Sequence, residues 1–140
     1  MLTTEQRLRM LETPQTLVDL VIDTDAYNEI DDQFAISYAL CAPDRVRLLA
    51  LCAAPFKNER STGPADGMEK SYQEILRLLK LAEKNVPVYR GSTAYLPDEK
   101  TPVVSDAAEA LVRLAMEHTT RNRCMWRPSA RLPTWRPPCC

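Results

Sequence analysis

A chain of 140 residues with 45% hydrophobic and 26% charged side chains has the size and balance of one globular domain with its own core, and a formal net charge of −1 argues against disorder throughout. No window approaches the roughly 20 apolar residues of a membrane span, and the charged N-terminus lacks the apolar stretch of a secretory signal, so a cytoplasmic protein without membrane contact is expected. Its five cysteines lack paired C-x-x-C spacing, which excludes a disulfide framework or a zinc site; Cys41 and Cys52, in apolar segments, are expected to be buried free thiols.

Residues 3–13 predict a short amphipathic helix, capped by Thr3 or Thr4, that packs through Leu8 and Leu11 and ends before Pro14. Thr16 to Ile22 reads as a buried strand, and Asp32 to Leu40 as a helix offering Phe34, Ile36, Ala39 and Leu40 to the core. Val46 to Ala53 is a second strand. After a polar loop, Met68 to Glu83 carries apolar residues at helical spacing: Met68, Tyr72, Ile75, Leu76, Leu79 and Ala82. Val86 to Tyr89 gives a third strand, and Ser105 to His118 a helix capped by Ser105. The order β-α-β-α-β-α predicts an α/β fold with an open, mainly parallel sheet and right-handed crossovers, whose ligands bind outside the carboxyl ends of the strands.

At that end of the first strand lies the most informative stretch of the chain. The ten residues Asp23 to Asp32 hold five carboxylates, Asp23, Asp25, Glu29, Asp31 and Asp32, and no base. Acids this close raise one another's pKa unless a cation is supplied, so a hard divalent metal or proton chemistry is expected. An EF-hand loop is excluded, because Asn28 stands where glycine is needed and Phe34 where a bidentate glutamate is needed. A dehalogenase-like phosphotransferase would use Asp23 as nucleophile and Asp25 as general acid, but leaves Asp31 and Asp32 without a task. The plainest alternative makes Asp31 and Asp32 helix-capping residues, Asn58 a turn former and His118 a partner of a helix C-terminus.

The stretch Val21-Ile22-Asp23-Thr24-Asp25 with Asp31-Asp32 opening the next helix resembles the signature of the inosine-uridine preferring nucleoside hydrolases, in the variant with Asn-Glu-x-Asp-Asp-Gln-Phe. Ala53 to Asn58 and Asn85 to Ser92 resemble that family's second and third strand ends, and the likeness covers about residues 16–118. It implies the N-terminal portion of a Rossmann-like nucleoside hydrolase fold and a small-molecule nucleoside as partner. It further implies a calcium ion (Ca2+) held by Asp25 and Asp32 with Asp23 alongside. Asp25 would accept the proton of the attacking water, Asp31 would grip the ribose hydroxyls, and Asn58 would lie on the substrate side. A full-length relative is expected to form a homo-oligomer.

Residues 119–140 differ in kind: five arginines, four prolines, both tryptophans, three cysteines and no acid. The reading therefore divides the chain into 1–118, the hydrolase portion, and 119–140, an aberrant disordered tail that does not continue the βα pattern. A nucleic-acid-binding arm, in a basic-tailed protein without catalysis, is the functional alternative. Back-translation favours another origin. Read one nucleotide earlier, Arg123 to Cys140 is compatible with Leu-Tyr-Val-Ala-Ala-Val-Gly-Ala-Pro-Thr-Asn-Val-Ala-Ser-Ala-Leu-Leu, which resembles the family's next strand. The valine is forced, since Met125 and Trp126 have one codon each. A frameshift between about Glu117 and Arg123 is thus expected, no nucleic-acid partner is invoked, and this chain is expected to bind calcium weakly and catalyse little or nothing.

Overall fold

The computed structural model describes residues 3–98, 100–119 and 124–128. Its elements are α1 (Thr4–Leu11), β1 (Val18–Thr24), α2 (Ile30–Cys41), β2 (Val46–Ala53), α3 (Pro64–Leu81), β3 (Val88–Arg90), α4 (Asp106–Met116) and β4 (Cys124–Pro128). The four strands form one open, all-parallel sheet in the order β3-β2-β1-β4. The chain thus builds outward from β1 to β3 and then crosses back to the other side of β1. That reversal makes the carboxyl edge beside β1 a topological switch point, where open α/β sheets form crevices.

One sheet face carries α2 and α3, packed through Ile36, Ala39, Met68, Ile75 and Leu79 onto Ile22, Leu51 and Ala53. The other carries α4, with Ala107 buried against Val21, Ala50 and Cys52 and with Leu111, Leu114 and Trp126 beside them. Strand β1, covered on both faces, is apolar in its middle at Leu20, Val21 and Ile22 and carries an aspartate toward each end, Asp19 and Asp23. No helix among the described residues is long and apolar enough to cross a membrane.

Local signals set several boundaries. Thr3 and Gln6 form a capping box at α1, each side chain accepting the other's backbone N–H. Ser105 caps α4 by accepting from the Ala108 N–H at 3.2 Å. Helix α3 begins earlier than its apolar spacing suggested, at Pro64, whose missing N–H costs nothing in a first turn.

Four expectations are corrected. Helix α1 buries none of its residues, so Leu8 and Leu11 do not pack; an eight-residue helix with so narrow an apolar stripe finds no seat among the described residues. Phe34 is 68% exposed, because the face of α2 on the sheet is set by Asp32, Ile36 and Ala39, and at 100° per residue Phe34 falls opposite them. Cys41 lies on the same outward side and is exposed, whereas Cys52 is buried as expected. Finally, Cys124–Pro128 is not a tail segment outside the sheet: it pairs in parallel with β1, Asp19 opposite Cys124 through Asp23 opposite Pro128. Its Met125 and Trp126 supply enough apolar surface for a short edge strand despite the basic flanks. Residues 120–123 and 129–140 of the expected tail lie outside the described residues.

Candidate functional site

Strand β1 ends at Thr24, and Asp25 to Asn28 then make a tight turn in which the Asn28 N–H donates to the Asp25 carbonyl at 2.7 Å. The turn delivers the chain into α2 with Asp31 and Asp32 in its first turn, where the helix N-terminus favours negative charge. Period then separates the two: Asp32 faces inward and is 4% exposed, and Asp31, one residue earlier, is exposed. Asp25, on the turn, is 9% exposed.

Asp25 and Asp32 meet. Burial, a hydrogen bond to the Asp32 carboxyl and that group's charge together push Asp25 up to about 6, against the partial relief of the Asn28 side chain. Two residues earlier, Asp23 is pushed up to about 7 by burial and then by the charge of Asp25. No lysine or arginine among the described residues pairs with Asp25 or Asp32. The fold holds these acids close at the cost of their ionisation, which is the condition under which an outside cation gains most.

A short relay of amides buttresses the pair. Asn28 Nδ2 donates to Asp25 Oδ2 at 2.9 Å, and Asn58 Nδ2 donates to Asn28 Oδ1. Asn58 is itself held by the Arg60 backbone N–H, which donates to its Oδ1 at 2.8 Å, and Arg60 Nη1 donates to the Asn28 carbonyl at 3.0 Å. The loop after β2 can sit this near because α3 carries glycine where it passes under Phe56: a Cβ at Gly67 would lie 2.1 Å from the Phe56 carbonyl oxygen. Gly91 serves the same purpose at the end of β3, where a Cβ would lie 2.2 Å from the Ala53 oxygen.

Sequence reasoning placed Asp23, Asp25, Asp31, Asp32 and Asn58 at one strand-end site. The structure pairs Asp25 with Asp32, puts Asp23 next to Asp25, and links Asn58 to Asp25 only through Asn28. Asp31 stands beside the pair on the exposed side of α2 and makes no side-chain hydrogen bond among the described residues. The residue that sequence reasoning missed is Asn28, and its signal was there in the Asp-x-x-Asn spacing of a β-turn. Asp23 also lines a small cavity of about 30 Å³ with Ala53, Pro55, Gly91, Ser92 and Ser105, between the strand ends and the start of α4. His118 is not part of this site; it lies at the other end of β1, on Asp19. Among the described residues no three His, Cys, Asp or Glu side chains are gathered into a ready-made metal cage.

Fold and site together define the class: an α/β protein with an all-parallel sheet and a buried carboxyl pair at the switch-point edge. Set beside known proteins, the chain matches no family model, no curated protein and no solved structure.

Proposed function

We propose that the acid turn is the metal- and ribose-binding portion of a calcium-dependent nucleoside hydrolase, which cleaves the N-glycosidic bond of a ribonucleoside to give ribose and free base. The observation that carries this reading is the buried Asp25–Asp32 pair, uncompensated by any lysine or arginine among the described residues, together with its place at the switch-point edge. Every candidate donor there is a hard carboxylate or amide oxygen, the set that suits calcium and not zinc or copper.

In this reading Asp25 and Asp32 hold the ion and Asp23 stands alongside. When bound by these carboxylates, calcium would supply positive charge that favours ionisation of a nearby water. Asp25, buried on the turn and oriented by Asn28, would be the carboxylate placed to accept a proton from a water there. Asn28 keeps the Asp25 carboxyl oriented by holding Oδ2. Asp31, exposed on the first turn of α2, accepts from the ribose hydroxyls, and the ionised carboxyls nearby stabilise an oxocarbenium-like transition state.

Calcium takes six to eight oxygens, more than these side chains offer, so binding by this chain is weak, with Kd on the order of 10⁻⁴ to 10⁻³ M, and turnover is slight or nil. Calorimetric titration of the full chain with calcium at pH 8 tests the reading. Binding that is lost in Asp25→Asn and in Asp32→Asn is expected. No heat or stabilisation up to about 10 mM calcium, or binding unchanged in both variants, would overturn it. Release of ribose from inosine or uridine, above the Asp25→Asn background, is the companion assay.

A further inference from the structure

The N-terminal end of β1 carries a second charged cluster that the acid turn does not use. Asp19, 5% exposed, accepts from Arg47 Nε at 2.5 Å and from Arg47 Nη2 at 2.6 Å. Its Oδ2 also lies 3.0 Å from His118 Nε2, and His118 Nδ1 lies 2.6 Å from the Leu114 carbonyl oxygen. Both ring nitrogens therefore face acceptors. Only the imidazolium donates from both; a neutral ring turns one lone pair against an oxygen. The Leu114 carbonyl belongs to the last turn of α4, whose negative end also favours a cation.

We propose that Asp19, Arg47 and His118 form a pH-operated clasp that docks the end of α4 and residues 117–119 onto the start of β1. Its members are 28 and 99 residues apart in sequence, so closing it joins β2 and the end of α4 to one strand. The groups facing His118 are Asp19 from β1, through it Arg47 from β2, and Cys124 of β4 opposite Asp19; its own segment adds Glu117. The bond to the Leu114 carbonyl, then that to Asp19, holds His118 above its ordinary pKa. The clasp is closed while the His118 ring is protonated and Asp19 is ionised. It opens as pH rises through the folded-state value of His118, when the ring loses a proton and one of its two bonds. Asp19 stays ionised and held by Arg47, so the opening is confined to the α4 end.

The same helix walls the acid turn at its other end, where Ser105, Ala107 and Leu111 line the cavity beside Asp23. The clasp thus tethers the helix that closes that cavity, and it does so whether or not the turn binds calcium.

Amide hydrogen exchange of the full chain between about pH 5 and pH 9, corrected for the intrinsic rate, tests the proposal alongside an NMR titration of His118. The last turn of α4 and residues 117–119 are expected to lose about tenfold in protection as His118 deprotonates, the scale of a hydrogen bond to a charged group. In His118→Gln the protection of the α4 end relative to the core of β1 and β2 becomes flat in pH, and in Asp19→Asn the His118 titration falls back toward its ordinary value. A flat profile in the wild-type chain, or an unchanged pH-dependent loss in His118→Gln, overturns the clasp. The wild-type profile, read as protection at the end of α4 relative to that of the core amides of β1 and β2, decides the matter even if a variant fails to fold.

Discussion

Both ends of β1 bury aspartates, and the fold treats them in opposite ways. At the start of the strand, Asp19 meets an arginine fork and a histidine, and Arg47 beside it holds its carboxyl below the usual range. At the end, Asp23 and Asp25 meet burial and other acids, and both titrate above the usual range, at about 7 and about 6. The same residue type on one strand is structural where the chain supplies the counter-charge. At Asp25 and Asp32, where no lysine or arginine among the described residues forms an ion pair, burial and the neighbouring acid raise the Asp25 carboxyl instead.

Substitution breaks this comparison most sharply. Asp19→Ala removes charge-assisted hydrogen bonds and is expected to lower stability by about 1.5–3 kcal/mol in urea unfolding. Asp25→Asn relieves repulsion within a buried pair, so in calcium-free buffer it is expected to leave the chain as stable or more stable by about 1 kcal/mol, the usual signature of a functional site. Equal losses at the two positions would erase the distinction.

The pH dependence of the aspartates has opposite signs at the two ends. Raised carboxyls such as Asp23 and Asp25 contribute stability that is fully present below their unfolded value near 4 and is lost as pH rises through about 6 and about 7. Asp19, depressed, contributes stability present above the unfolded value and lost as pH falls through its folded one. His118, raised, contributes stability present below about 6.5 and lost as pH rises through its folded value. Thermal unfolding of the calcium-free chain should therefore show stability falling between about pH 4 and pH 7. Excess calcium should flatten that fall, and calcium affinity should increase over the same range as binding displaces protons.

Smaller effects test how the acid end is supported. Gly67→Ala drives a methyl into the Phe56 carbonyl and is expected to cost about 1–3 kcal/mol, with the Asn58 loop displaced and calcium binding weakened in parallel. Thr24 is wholly buried and its hydroxyl has no partner among the described residues. Thr24→Val, of nearly the same shape, should thus be neutral or stabilising by up to about 1 kcal/mol. A marked loss of stability would mean that the hydroxyl serves a polar group after all.

The elements legible in the sequence were those with a strong local period or a strong local breaker. Val46–Ala53 was read to the residue, and α4 with its Ser105 cap nearly so, because a strand run between turn formers and a capped apolar stripe are written in adjacent residues. Helix α1 was legible as a helix but not in its role, since amphipathicity says which face is apolar and not whether anything covers it. Strand β4 was missed because its arginine- and proline-rich flanks carry no strand signal; its place depends on pairing with a strand 105 residues away.

By itself the sequence determined the alternation of strands and helices, the parallel sheet it builds, and the gathering of acids at the end of β1. These depend on spacings of a few residues. Tertiary structure decided which acids are buried together and which one faces outward, that Asn28 and not Asn58 touches Asp25, that Phe34 faces away from the core, and that His118 closes on Asp19. Apart from the local Asn28–Asp25 turn, these rest on helix phase relative to the sheet or on contacts such as Asn58–Asn28 and His118–Asp19, 30 and 99 positions apart. Local propensity carries no information about such pairings, because they form only once the hydrophobic faces have fixed how the elements pack.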